Sequence, residues 1–383
     1  MANVLTAITP QIYEALQIVP RESVGMARGC YINSDLERAA QNQTITYPLV
    51  PTMSAADVTP AATSSTGTDQ TIAGGSMTLD KFRKVSWNWR GEEMKALMTG
   101  DKPQYQDARR LQFTQAFRAI ANEVENDLWV AAYKGASRAY GTAGTTPFGT
   151  ANDFSDFANL RNILVTNGAP PFDLHLGLGH EAITNIQAKQ SSLFKANEAG
   201  SDELLRTGSI GNVLGFAIHE SHPITTVTKG TGTSYQTNGS TLAVGATDIV
   251  VDTGSGTILA GDIITAAGDT NKYVVNSALA SNSLSIGRPG LRSTLADNVA
   301  LTVGNNAVRN IGFHRNALHL VMRPPSVFDE GDLAASRTLV RDPISGLVFD
   351  VAVYIQYYQI SIEVSAVWGV EAVMPEFIAV LLG

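Results

Sequence analysis

The chain has 383 residues, of which 44% are hydrophobic and only 16% charged, with a formal net charge of −8. That length holds two or three domains, and that composition excludes a disordered chain. The low charge leaves little polar surface for a monomer and favours an oligomer, and no long basic cluster offers the grip that nucleic-acid affinity requires. Cys30 is the single cysteine, which excludes an internal disulfide and a cysteine-based metal centre. No apolar run reaches about 18 residues, so no membrane span is expected. The first residues lack the basic head and long apolar core of a secretion signal.

Residues 1–44 read as an arm. Thr9 and Pro10 can open a short helix with Ile12, Leu16 and Val19 on one face. Met26, Ala27 and Cys30 follow as a possible further turn. Arg21, Arg28 and Arg38 are spaced along the arm, as solvated charges or as contacts for an acidic partner surface. Residues 45–90 read as a long hairpin. Ile45, Tyr47 and Leu49 alternate on one strand, and Val85, Trp87 and Trp89 alternate on the other. Residues 52–76 between them are rich in Ala, Thr, Ser and Gly, too poor in apolar area to fold alone. Lys81, Arg83 and Lys84 at the root of this loop are surface charges or partners for a neighbour's carboxylates.

Residues 102–138 form the longest helical pattern. Phe113, Phe117, Ile120, Val124, Leu128 and Ala131 recur at steps of three and four, which places one apolar stripe on one face. Arg109, Arg110, Arg118, Asn122, Glu125 and Asn126 fall on other faces. Asp101 can cap the start, Pro103 suits the first turn and Gly135 offers a stop. About 35 residues at 1.5 Å each make a rod of roughly 50 Å, which needs a neighbour along its length.

A Gly/Thr-rich linker, 141–150, leads to a second helix at 153–166. A strand at 172–178, a third helix at 181–189 and a further strand within 208–221 follow. From about 225 to 305 the composition turns to Thr, Ser, Gly, Asn, Ala and Val. Short alternating runs at 241–244, 249–251, 262–266, 273–276, 283–286 and 300–303 argue for a small antiparallel barrel or sandwich inserted into the parent fold. The parent resumes at 306, with strands expected at 313–322, 351–367 and 370–382. The run 351–367 is apolar on both faces, as in a strand covered on both sides.

Motifs for chemistry are sparse. Asp252-Thr253-Gly254-Ser255 copies the active-site turn of pepsin-like proteases, which need two such aspartates. One motif per chain leaves only a dimeric aspartic protease, and Asp-Thr-Gly is common turn chemistry. The histidines fall as pairs, His175/His180, His219/His222 and His314/His319, none with the spacing of two ligands on one helix face. No phosphate-binding glycine loop, Walker lysine or nucleophile elbow is present. Asp329, Glu330 and Asp332 form a small acidic cluster, a solvated loop or a contact for a basic patch such as 81–84. No catalytic, metal or cofactor site is expected. The subunit-interface candidates are Arg21, Arg28, Lys81, Arg83, Lys84, Trp87, Trp89, Arg109, Arg110, Asp329, Glu330 and Asp332.

In this order of parts the chain resembles the major capsid (coat) proteins of tailed phages with the HK97 fold. The nearer resemblance is to the podovirus branch that carries an inserted β-domain. Leu5-Thr6, then Thr9-Pro10-Gln11-Ile12-Tyr13 and Leu16, are similar to that branch's amino-terminal arm. Phe313-His314-Arg315-Asn316-Ala317-Leu318 with Arg323-Pro324 is the most family-like string. Trp368-Gly369-Val370 with Met374-Pro375-Glu376 resembles the closing strand.

The resemblance implies an α+β HK97-like capsid fold. Its parts would be an arm (1–44), an extended loop (45–92), a spine helix (93–140), a peripheral-to-axial part (141–223), an inserted all-β domain (224–305) and a closing axial and peripheral part (306–383). It further implies a non-enzymatic virion subunit, self-assembling through hexamers and pentamers into an icosahedral shell in the bacterial host cytoplasm. A scaffolding protein, a portal protein at one vertex and packaged double-stranded DNA would be its partners, with no membrane. Relatives that crosslink use a loop lysine, and 52–76 contains none, so crosslinking is not implied here. An encapsulin-like compartment with protein cargo is the alternative on the same fold.

Overall fold

A computed structural model describes residues 25–49, 55, 57, 73–98, 103–190, 210–239, 241–328, 331–342 and 345–383. The amino-terminal helix expected after Thr9 lies outside them, as do Arg21, Asp101, Asp329 and Glu330. The described chain is a mixed, sheet-rich fold with few helices.

Gly25 leads into a 3-10 turn, Met26–Arg28. Strands β1 (Tyr31–Ser34), β2 (Thr44–Leu49), β3 (Ala73–Thr78) and β4 (Lys81–Arg90) follow. A short helix, Gly91–Met98, precedes the long helix, Pro103–Gly135. Strand β2 pairs with β3, while β4 pairs along its whole length with a strand near the carboxyl end. The expected hairpin of 45–49 against 85–89 is therefore corrected. Both stretches alternate, but alternation leaves the partner open.

Beyond the long helix come β5 (Arg138–Tyr140), a helix Ser155–Thr166, β6 (Leu174–Leu178), a helix His180–Lys189, β7 (Asn212–Val213), β8 (Phe216–Glu220) and β9 (Thr226–Val227). Short strands β10 (Tyr235–Thr237), β11 (Asp248–Asp252), β12 (Ile263–Ala266), β13 (Lys272–Ala280), β14 (Ser283–Ile286) and β15 (Ala300–Val303) gather around their own core of Ile249, Val251, Ile264, Val275, Leu284 and Ile286. Strand β10 had no expected counterpart. The expected strand 241–244 is reduced to one bridge, Leu242 to Leu295. This group joins the larger sheet where β13 pairs with β5.

The carboxyl-terminal third departs most from the sequence reading. The expected strand 313–322 is two strands, β16 (Ala307–His314) and β17 (Leu318–Arg323), split by a 3-10 turn at Arg315–Ala317. Strand β18 (Ala334–Arg341) follows. The expected buried strand 351–367 is a hairpin, β19 (Val348–Gln356) and β20 (Gln359–Ala372), turning at Tyr357 and Tyr358. Trp368-Gly369 lies inside β20, not before a new strand, and the last strand is β21 (Ile378–Leu382) after a 3-10 turn at Pro375–Phe377. Tyr358 takes positive φ, +58°, which closes the hairpin. A run of apolar residues on both faces conceals such a turn, because neither Gly nor Pro marks it.

The sheet β1-β17-β20-β19-β18, with β4 on the free side of β20, packs against the long helix. Phe113, Phe117, Ile120, Val124 and Leu128 are buried as the spacing predicts, but the stripe ends on Ala132, not Ala131. Ala116, Ala121 and Trp129 widen it. Trp368 is buried beneath the helix and donates from Nε1 to Asp127 Oδ2 at 2.9 Å. Gly369 is required by contact: a Cβ there would stand 2.3 Å from the Thr78 carbonyl oxygen. A second core lies where the helices Ser155–Thr166 and His180–Lys189 cover β6, β8 and β21. No described helix is long and apolar enough to cross a membrane.

Candidate functional site

Two places on this frame carry unusual groups: the root of the amino-terminal segment, and the free end of the β18–β19–β20–β4 sheet.

At the root, Glu125 sits inside the core and not on an outer face as its place in the helical pattern suggests. Its carboxylate accepts hydrogen bonds from the backbone N–H groups of Gly25 (2.9 Å), Met26 and Ala27 (3.2 Å), and from the Ser221 hydroxyl (2.8 Å). Burial pushes its pKa up, and these four donors only partly pull it back. All four of these donors are neutral. Gly25 is pressed so close to β8 that a Cβ would stand 2.0 Å from the Glu220 carbonyl oxygen. Cys30 is buried here, and its Sγ donates to the Ala27 carbonyl. Burial and the Glu125 charge push the thiol pKa far up, so it is inert.

Beside it, the parallel pairing of β6 with β8 brings histidines of different sequence pairs together. His175 Nδ1 lies 2.9 Å from His219 Nε2, and the rings stack at 5.2 Å. His175 Nε2 lies 3.0 Å from Asp173 Oδ1, and Arg315 Nε lies 3.0 Å from Asp173 Oδ2. Gly29 rests on the His175 ring. Burial lowers the pKa of both histidines, with His219 brought to about 4 by burial and then by His175, Arg28 and Arg315. His180, Glu220 and His222 form a parallel chain on the exposed side. The sequence pairs His175/His180 and His219/His222 are thus re-sorted. Only the strand partnership reveals this, because it places positions 175 and 219 on one face. Among the described residues no group of three His, Cys, Asp or Glu gathers as a metal site.

The free end of the sheet is apolar and exposed. Leu333 (93%), Tyr357 (89%), Phe328 (86%), Tyr358 (79%) and Ile355 (54%) present most of their surface to solvent. The β18–β19 register, Ala334 opposite Tyr354, sets Leu333 beside the β19–β20 turn. Behind them lies a polar brace. Arg337 binds Asp332 and Asp350, the Tyr354 hydroxyl donates to Asp332 at 3.0 Å, and Arg38 reaches Asp350 at 3.0 Å.

Most interface candidates that are described have partners within the chain. Lys84 pairs with Glu363 at 3.0 Å and Arg83 with Glu123 at 3.3 Å. Trp87 meets Phe113 edge-on at 5.2 Å, and Trp89 Nε1 donates to Gln112 Oε1 at 2.8 Å. Lys81 starts β4, and Arg28 is exposed at the root. The Arg110 carbonyl accepts from Thr114 in the helix, and Arg109 lies one residue earlier on it. Asp332 belongs to the brace. The Asp-Thr-Gly motif is a turn after β11, with Thr253 at φ +58° and Gly254 pressed on the Tyr235 ring. The apolar end of the sheet was missed, because Tyr357 and Tyr358 read as part of a buried strand.

No family model matches this sequence, and no curated protein matches it. Among solved structures the chain is similar to the capsid of cyanophage P-SCSP1u, at 12% identity and a TM-score of 0.49, covering 94% of this chain and 88% of that one. It is similar to a structure of Mycobacterium phage Che8 at 14% identity and 0.43, covering 90% and 85%. It is also similar to the virus-like particle from Pyrococcus furiosus at 10% and 0.43, covering 98% and 99%. These likenesses are loose.

Proposed function

We propose that this chain is the major capsid protein of a tailed double-stranded DNA phage, assembling through hexamers and pentamers into an icosahedral shell. The observation that carries the reading is the exposed apolar end of the sheet. Five large side chains project where a monomer gains nothing from them, and such a patch marks an association surface. The long helix supports it: a rod of roughly 50 Å stiffens a thin plate so that its far end reaches a neighbour. The order of parts read from the sequence supplies the family. The division into arm, extended loop, spine helix, peripheral and axial parts and an inserted β-domain at 224–305 belongs to the same proposal. So do the interface roles of Arg28, Lys81, Arg83, Lys84, Trp87 and Trp89, and the scaffolding, portal and DNA partners.

Electron microscopy of the expressed chain, alone and with a scaffold protein from the same source, tests this. Closed shells hundreds of ångströms across are expected. A chain that stays monomeric in both conditions overturns the proposal.

A further inference from the structure

One cavity differs from its neighbours in charge. It has a volume of about 430 Å³ and lies between β5, the helix Ser155–Thr166 and the start of β13. Arg138 and Lys272 line it together with Asn159, Asn162, Asn271 and Thr142, and no carboxylate does. Three other cavities, of about 370, 680 and 310 Å³, each carry one or more: Glu181 in the first, Asp153 and Asp156 in the second, Glu123 and Asp127 in the third. In a chain of net charge −8, a pocket with two cations and no acid is an exception.

Both cations are held by neutral acceptors. Arg138 Nη1 donates to Asn271 Oδ1 at 3.1 Å and Nη2 to Asn167 Oδ1 at 3.0 Å, while Lys272 Nζ donates to the Gly141 carbonyl. Arg138 is more than nine-tenths buried, and its Nε is a buried donor with no hydrogen-bond partner. Arg292 stands near enough to disfavour the guanidinium charge further. The one carboxylate that favours the guanidinium charge, Asp269, makes no hydrogen bond to it: its oxygens accept from the Tyr273 and Ser293 hydroxyls and from Asn271. A buried guanidinium with an idle N–H and no hydrogen-bonded carboxylate is costly, and an anion entering the cavity relieves that cost.

We infer that this cavity binds a phosphate-class anion, held by the Arg138 guanidinium and the Lys272 ammonium, with the lining Asn and Thr side chains as neutral contacts. A planar fork beside a point charge suits a tetrahedral oxyanion, because charge-assisted bonds then replace the neutral ones. The phosphate has two sources, a free ion or small ester and the backbone of a nucleic acid. The inference stands apart from the shell reading, since it concerns the isolated chain.

Calorimetric titration of the full chain with inorganic phosphate at low ionic strength is the test, with chloride at matched ionic strength as the blank. Saturable one-site binding and a raised thermal midpoint are expected. Lys272→Met, at a half-buried position that leaves Arg138 in place, weakens binding by about tenfold or more, as loss of a charged hydrogen bond requires. Arg138→Gln abolishes it. Lys189→Met, in the acid-lined cavity nearby, leaves it unchanged. No saturable binding, or equal binding by the Lys272 variant, overturns the inference. A duplex oligonucleotide added in a second arm identifies the source. Displacement of phosphate assigns the nucleic-acid backbone, and phosphate binding untouched by the duplex assigns the free ion or small ester.

Discussion

The root at Glu125 and the free end of the sheet solve opposite problems. At the root, a carboxyl group is buried and its hydrogen bonds come from within the chain: three backbone N–H groups and one hydroxyl. At the sheet end, apolar side chains stay in water although a core lies a few residues away. The first region is complete in one copy. The second is incomplete in one copy, and the missing burial is what assembly would supply. On the proposed function, stability and association are thereby separated: one set of residues fixes the chain, and another is left free to join it to a second copy.

Variants at the two regions test this separation. The largest effect on stability is expected at Glu125. Glu125→Ala strands three N–H donors in the core, and at roughly 1–3 kcal/mol for each unsatisfied group a loss of about 3–9 kcal/mol follows. Thermal unfolding would read it, and a variant within about 1 kcal/mol of the parent would show that water replaces the carboxylate.

Next comes pH. His219 has its pKa depressed to about 4, below the ordinary value of 6.5, so the unfolded chain binds its proton first. Stability therefore falls as pH drops from 6.5 toward 4, by on the order of 3 kcal/mol, and levels off below. Glu125, with a raised pKa, acts in the opposite sense, because its protonation in the folded state returns stability as pH falls. His219→Gln should flatten the decline between pH 6.5 and 4 in denaturant titrations. An unchanged slope would assign the decline to other groups.

Smaller still is Lys84→Ala. Its ion pair with Glu363 joins a largely exposed ammonium to a carboxylate, and such pairs are worth about 0–1 kcal/mol. A thermal midpoint that moves by only a few degrees is expected, and the shift should shrink in high salt. The smallest change in stability is expected from Tyr357→Ser with Tyr358→Ser, within about 0.5 kcal/mol, because both rings are exposed. The same double variant should lose particles in sedimentation. If it unfolded readily, or assembled as well as the parent, the sheet end would not be the association surface.

Much of the frame was legible in the residues. The helix at 102–138 was readable because an apolar stripe at helical spacing has one physical meaning, and it appears as Pro103–Gly135. The strands at 283–286 and 300–303 were readable because turn residues bracket short alternating runs. The run 351–367 was not, since a tight turn made by Tyr357 and Tyr358 carries no Gly or Pro to announce it. Glu125 was assigned to an outer face for a similar reason. Periodicity ranks a carboxylate as polar and cannot register that four donors from distant positions wait for it.

What the sequence determined by itself is local: where the helices run, which strands alternate, and that Cys30 has no partner. These follow from chain geometry and side-chain type within a few residues. The tertiary structure decided everything that needs two distant segments to meet. It paired β4 with β20, joined His175 to His219, and set Arg138 and Lys272 around one acid-free cavity. The physical reason is that backbone pairing and burial are settled by the free energy of the whole fold, and alternation alone does not name a strand's partner.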